Sequence, residues 1–122
     1  MADISYGISL RVSKDGLSNG VSVTNVGASM NVAGFKSVIY GLSTTAVSIS
    51  TANLSSVGMA FLQNLSTATA STAQIGIDAG GSFVSFTTLR AGESQLFRLS
   101  TGADYKAIGT ASTRLRVDIT EG

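Results

Sequence analysis

The stretch Arg114-Leu115-Arg116-Val117-Asp118-Ile119 indicates the fold class of this chain. Its apolar residues occupy every second position, and the positions between them carry two arginines and an aspartate. Successive side chains of a β-strand point to opposite faces, so this alternation predicts a strand with one buried face and one solvated face. Arg114 and Arg116 are accordingly predicted at solvated, outward positions of an edge or surface strand.

Short runs of the same kind extend outward from this stretch over most of the chain. They predict strands at residues 4–12, 20–25, 37–42, 46–51, 57–63, 73–78, 82–88, 94–99, 105–109 and 113–120. No segment has the 3.6-residue period of an amphipathic helix. The pattern predicts an all-β fold, an antiparallel β-sandwich of jelly-roll-like type with about 8–10 short strands.

Glycine-bearing turns separate the predicted strands. Asp15-Gly16 and Asn19-Gly20 are both turn signals near the start of the chain, because these residues accept positive φ at little steric cost. Residues 78–81, Asp-Ala-Gly-Gly, predict a hairpin turn, and residues 90–93 predict a second turn. Residues 57–63 are apolar on both faces, which predicts a central, buried strand.

The length of the chain indicates how many domains it forms, and its charge indicates how its surface is covered. A chain of 122 residues is predicted to form a single sandwich domain over residues 1–122, with residues 1–6 as an optional N-terminal arm. Charged residues make up 12% of the chain, about half of the usual 25%. Two explanations are open: Ser and Thr hydroxyls solvate the surface, or other protein copies cover much of it.

The composition excludes several kinds of catalytic and metal-binding site. The chain has no His and no Cys, which excludes a His-based catalytic triad, a disulfide scaffold and a thiolate metal site. The acidic residues are scattered singly, and Asp78 and Glu93 lie in turns where carboxylates commonly cap the backbone. We therefore predict a non-enzymatic protein with no catalytic, cofactor-binding or metal-binding residues. Tyr6, Tyr40 and Tyr105 leave a carbohydrate-binding platform open, although core or interface positions are the favoured interpretation.

The charge balance and hydropathy also bear on partners and location. A net charge of +1 without a basic cluster predicts no nucleic-acid binding. No apolar run reaches the roughly 18 residues of a membrane span, so no membrane association is predicted. The first residues lack a basic and an apolar signal-peptide region, which predicts folding in the cytoplasm of the producing cell.

The second half of the chain resembles a known group of proteins. The resemblance rests on residues 60–65 (Ala-Phe-Leu-Gln-Asn-Leu), 74–78 (Gln-Ile-Gly-Ile-Asp), 83–86 (Phe-Val-Ser-Phe), 89–93 (Leu-Arg-Ala-Gly-Glu) and 115–119 (Leu-Arg-Val-Asp-Ile). In this order they look like the small all-β virion structural proteins of tailed bacteriophages. The resemblance covers about half of the chain.

The resemblance implies a jelly-roll-like structural protein present in many copies on the virion and assembled in the host cytoplasm. The first expectation is a capsid decoration or cement protein that binds the major capsid protein on the outer surface of the head. Symmetry then favours a homo-oligomer, with a trimer as the preferred form. The alternative is a tail or baseplate component that binds other tail proteins, including a receptor-binding head that recognises a cell-surface glycan.

Two segments are candidates for the protein interface. The first is the arm at residues 2–6, which contains Ile4 and Tyr6. The second is the apolar loop at residues 27–35, where Met30, Val32 and Phe35 would lie in solvent without a partner. The loop has an equally favoured alternative, in which it folds back over the open end of the sandwich.

Overall fold

A computed structural model describes residues 3–110 and 112–122 of the chain. The described residues form ten β-strands and no helix, and every strand pairing is antiparallel. The strands are β1 (Ile4–Lys14), β2 (Leu17–Ala28), β3 (Phe35–Leu42), β4 (Val47–Ser48), β5 (Val57–Asn64), β6 (Thr72–Ala79), β7 (Ser82–Arg90), β8 (Ser94–Arg98), β9 (Tyr105–Gly109) and β10 (Thr113–Glu121). The predicted all-β antiparallel fold is confirmed.

The chain divides into two compact units, Met1–Asn31 and Val32–Gly122. The first unit contains β1 and β2, and the second contains β3 to β10. The sequence predicted one sandwich domain over residues 1–122, whereas the strands of the sandwich all come from the second unit. The predicted arm at residues 1–6 overlaps the start of β1, and Met1 and Ala2 lie outside the described residues.

The first unit is a long β-hairpin. Lys14 pairs with Leu17 across a two-residue turn in which Asp15 has φ 49° and Gly16 has φ 87°. Positive φ at both central residues gives the turn the twist that matches its flanking strands. The predicted turn at Asp15-Gly16 is confirmed. The predicted turn at Asn19-Gly20 is wrong, because Gly20 pairs with Arg11 inside β2 and the chain has already reversed.

The second unit is a sandwich of two four-stranded sheets, counted over the described residues. The first sheet has the order β3-β10-β5-β8, and the second has the order β4-β9-β6-β7. Apart from the β6–β7 hairpin, each step along the chain from β3 to β10 passes from one sheet to the other. Apolar side chains from both sheets form one core between them.

Strand β10 lies at the centre of the first sheet, between β3 and β5. Leu115, Val117 and Ile119 point into the core and are 0–2% exposed. The alternation predicted from the sequence is confirmed, and Arg114 and Arg116 are exposed on the outer face. Of the two predicted alternatives, an edge strand or a surface strand, the edge strand is excluded because β10 has a hydrogen-bonded neighbour on each side, whereas the exposed arginines agree with a surface strand.

Asp118 departs from the simple alternation. It lies on the outer face of β10, yet it is only 6% exposed. The Ser37 hydroxyl donates to one carboxylate oxygen of Asp118, and Arg116 Nε lies 2.8 Å from the other. Burial of a charge is tolerated where hydrogen bonds and an opposite charge compensate for the lost water.

The predicted strand at residues 46–51 shortens to Val47–Ser48. Side chains take the place of ladder partners in the residues that follow. The Ser50 N–H donates to Tyr40 Oη at 3.0 Å, and Lys36 Nζ donates to Ser50 Oγ and to the Ala52 carbonyl, both at 3.1 Å. Backbone groups can be satisfied without strand pairing when side chains supply the partners.

Candidate interaction surfaces

The hairpin carries an apolar face that runs along both of its strands. Ile8 pairs with Val23, and Leu10 pairs with Val21. Directly opposite residues of an antiparallel pair project to the same face, so these four side chains form one strip. Ser9 and Ser22 pair on the reverse face, which is therefore polar at this level.

A β-bulge keeps the apolar strip continuous toward the base of the hairpin. Tyr6 pairs with Val26 and Ile8 pairs with Val23, so β2 has one more residue than β1 between these two pairs. Asn25 lies in this interval with φ 56°, a left-handed conformation that Asn tolerates better than most residues. The extra residue shifts the facing of β2 by one position. Val26, which would otherwise point to the reverse face, therefore projects to the same face as Val21 and Val23.

The apolar face of the hairpin is open to solvent. Six large side chains on it are exposed: Ile8 51%, Leu10 62%, Val12 40%, Leu17 59%, Val21 66% and Val23 53%. A two-stranded hairpin is at best marginally stable alone, because each strand lacks a second layer that would bury its apolar face. A contiguous exposed apolar surface of this kind is typical of a protein–protein contact.

The first predicted interface segment belongs to this hairpin. Ile4 and Tyr6 are residues of β1, paired with Ala28 and Val26, and both are half-buried. They project to the apolar face, at its base. Their description as a separate arm at residues 2–6 is therefore wrong for the described residues, since Ile4 already begins the strand.

The second predicted interface segment divides between the two units. Met30 belongs to the first unit, where it is half-buried and its N–H donates to Asp3 Oδ2 at 2.9 Å. Val32 and Phe35 belong to the second unit and are exposed by 54% and 66%.

Val32 and Phe35 line a common surface groove of about 500 Å³ on the second unit. The remaining lining comes from residues 33, 34 and 36, from residues 52–55 and from Glu121. Leu54 in this lining packs against the hydrophobic core, while Val32 and Phe35 remain exposed. The groove thus offers two exposed apolar side chains at the edge of the first sheet.

Both charged side chains of the groove already have partners in the chain. Glu121 is 3% exposed, and its carboxylate accepts from the N–H groups of Ser55 at 2.8 Å and Ser56 at 3.0 Å. The hydrogen bonds from the Ser56 and Ser55 backbones lower the pKa of Glu121 from its ordinary value. Lys36 is held by Ser50 and Ala52. These internal bonds favour an apolar contact in the groove over recognition of a charged ligand.

Two of the three tyrosines considered for carbohydrate binding belong to the sandwich. Tyr105 is buried, and its Oη accepts from the Ser100 N–H at 2.8 Å. Tyr40 is partly buried against the core, and its Oη accepts from Ser50. Both rings therefore serve the core of the sandwich, as the favoured interpretation predicted, and Tyr6 belongs to the hairpin.

The acidic turn residues act as the sequence predicted. Asp78 Oδ1 accepts from the Gly81 N–H at 2.8 Å, and Glu93 Oε1 accepts from the Arg90 N–H at 2.7 Å. Both carboxylates cap the backbone of their turns. In the part of the chain that the structure describes, no three Asp, Glu, His or Cys residues are grouped so that they could hold a metal ion.

The exposed hairpin face itself was not identified as an interface from the sequence. The sequence analysis predicts strands at residues 4–12 and 20–25, but as strands of a single sandwich domain. The available signal was the Asp15-Gly16 turn joined to two alternating runs of nearly equal length, which is typical of a self-contained hairpin.

No protein-family model matches the chain, and no curated protein matches it. Among the described residues, no helix has both the length and the apolar character that crossing a membrane requires.

Proposed function

We propose that this chain is a non-enzymatic structural protein of a bacteriophage virion. In this proposal it is a capsid decoration or cement protein that binds the major capsid protein on the outer surface of the head. Many copies stabilise the head through repeated protein–protein contacts, since weak contacts become strong when a lattice repeats them.

The groove at Val32 and Phe35 is the observation that carries this proposal. A half-exposed Val in the loop before β3 and a two-thirds exposed Phe at the start of that edge strand line one groove, where they can anchor a partner protein. Burial of such apolar anchors is the main source of energy in a protein interface. The charged side chains beside them are engaged internally and leave the contact apolar.

The connectivity of the sandwich supports the same proposal. Two four-stranded sheets, with chain connections that pass between them at almost every step, fit a jelly roll as far as the described residues extend. Jelly rolls are found in viral capsid domains and in lectins. The internal use of Tyr40 and Tyr105 argues against the glycan-binding alternative for the sandwich.

The test uses the purified full chain and phage heads assembled without it. Heads are pelleted with increasing protein, and the bound copies per capsid subunit are counted by quantitative gel. The proposal expects saturation at a fixed stoichiometry, and binding weakened about 10-fold or more by V32S/F35S. V84S is the matched control, because Val84 is 50% exposed but does not line the groove.

Failure of the wild-type chain to bind heads would contradict the proposal. Saturable binding to isolated tails in the same assay would instead support the alternative of a tail or baseplate component. Equal binding by the V32S/F35S variant and the wild type would remove the groove from the contact.

A further inference from the structure

We propose that the apolar face of the β1–β2 hairpin is the self-association surface of this protein. Three copies place their hairpins edge to edge and close a six-stranded barrel with the apolar faces inside. This inference concerns the chain alone and does not depend on the proposed binding to capsids.

The charge distribution of the hairpin favours another copy of the same face as the occupant. The strip formed by Ile8, Leu10, Val12, Val21 and Val23 carries no charge. Within β1 and β2, the charged residues are Arg11 on the reverse face and Lys14, which lies opposite Leu17 at the turn end of the apolar face. A surface whose single charge lies at one end offers little to an ionic partner, and its best complement is an equally apolar surface.

The free strand edges of the hairpin also favour another copy of this chain as the occupant. In the described residues, β1 and β2 form a sheet of their own, so each strand has one hydrogen-bonded neighbour and one open edge. Both strands are long, at 11 and 12 residues, and the chain contains no Pro that would block pairing. Open edges of this length are templates for pairing with another chain, and closure into a barrel removes them.

The area of the face favours three copies over two. At about 3.3 Å per residue, 11 residues span ~36 Å, and two strands ~4.8 Å apart make a ribbon ~10 Å wide. Two such ribbons face to face cover only ~700 Å² in total, less than the ~1,200 Å² at which stable interfaces begin. Three ribbons cover ~1,100 Å², close to that value, and their paired strand edges bury further surface that two face-to-face ribbons leave open.

Closure by three hairpins also fits the size of the side chains. Six strands at ~4.8 Å spacing make a barrel narrower than the eight-stranded barrels whose interior side chains just fill. The side chains on this face are mostly Val, Ile and Leu. Their moderate size allows them to fill such a narrow interior. The bulge at Asn25 contributes because it keeps the inward face apolar down to Val26.

The test is the mass of the full chain in solution, measured by sedimentation equilibrium and native mass spectrometry. The wild type is expected at three times the 12.4 kDa of one chain. The variant L10D/V21K places an opposite-charge pair on the apolar face, at residues that face each other. We expect it to weaken association about 100-fold or more, since removing both charges from water costs more than their mutual attraction returns.

The matched control is S9D/S22K, which places the same charge pair on the reverse face one residue along. It has the same cross-strand geometry, so any damage to the hairpin from the charges themselves appears in both variants. The control is expected to remain a trimer. A monomeric wild type, a wild-type dimer, or a trimer that survives L10D/V21K would overturn the inference.

Discussion

The hairpin and the sandwich use the same sequence pattern with opposite results. In β10, Leu115 alternates with arginines and is 0% exposed, whereas in β1, Leu10 alternates with Ser9 and Arg11 and is 62% exposed. Both strands have an apolar face and a polar face. The alternation therefore determines which residues share a face, while the presence of a second layer determines whether that face is buried.

The largest difference between the two regions is expected from the same substitution made in each. L115A leaves a cavity at a fully buried site in the central strand and should lower the free energy of unfolding by about 2–5 kcal/mol. L10A, in monomeric protein at high dilution, should change it by less than about 0.5 kcal/mol. Urea unfolding of both variants gives the comparison. Equal losses would show that the hairpin face is buried within one chain.

A second contrast comes from glycines at which backbone approaches closely. A Cβ on Gly76 would lie 2.0 Å from the Val84 carbonyl oxygen, beside the bulge that Phe86 makes in β7. A Cβ on Gly20 in the hairpin would lie 3.2 Å from the Leu10 oxygen. G76A should destabilise the sandwich by about 3 kcal/mol, and G20A should cost less than about 1 kcal/mol. Thermal unfolding of both variants measures these costs, and the reverse order would contradict the packing described for β7.

The bulge in the hairpin gives a smaller and more local effect. Asn25 has φ 56°, and a β-branched residue is strongly disfavoured there, so N25V should cost about 1–2 kcal/mol in hairpin stability. N25G accepts the same backbone conformation and serves as the control. Amide hydrogen exchange of residues 17–28 reports the change. Equal exchange in both variants would show that the bulge does not constrain the hairpin.

The smallest effect at neutral pH is expected from the Glu121 carboxylate of the sandwich. Hydrogen bonds from Ser56 and Ser55 hold the pKa of Glu121 below its ordinary value of 4.5 in the folded state. A lowered folded pKa stabilises the protein fully above about pH 4.5, and this stabilisation is lost as the pH falls through the folded pKa.

Urea unfolding midpoints between pH 7 and pH 3 test this linkage. The wild type should lose stability at the acid end, and E121Q should start lower and depend less on pH. E93Q is the control, because Glu93 is an exposed carboxylate in a turn. An acid-induced loss that is as steep in E121Q as in the wild type would show that other carboxylates cause it.

The sandwich could be predicted closely because its local signals agree with its packing. The alternation in β10, the two apolar faces of β5 and the Gly80-Gly81 turn each predicted the structure that is observed. Asp118 could not be predicted as buried, because one of the two partners that compensate for its burial, Ser37, is distant in sequence. Such contacts depend on strand order, which alternation does not specify.

The interaction surfaces were predicted only in part. Val32 and Phe35 were recognised as apolar residues in a loop of turn composition, and the structure brings them to one groove. The hairpin face was not predicted as an interface. An apolar strand face has the same alternating sequence pattern whether the same chain or another copy covers it. The Asn25 bulge was missed as well, since one extra residue in a Ser- and Val-rich strand leaves no clear signal.

Hydrogen exchange of the full chain at two concentrations tests most directly whether the two regions bury their apolar faces differently. The sandwich strands β5 and β10 should be protected equally at high and low protein concentration. The hairpin strands β1 and β2 should be protected at high concentration and should exchange rapidly at concentrations where the copies dissociate. Hairpin protection that does not change with concentration would contradict the account.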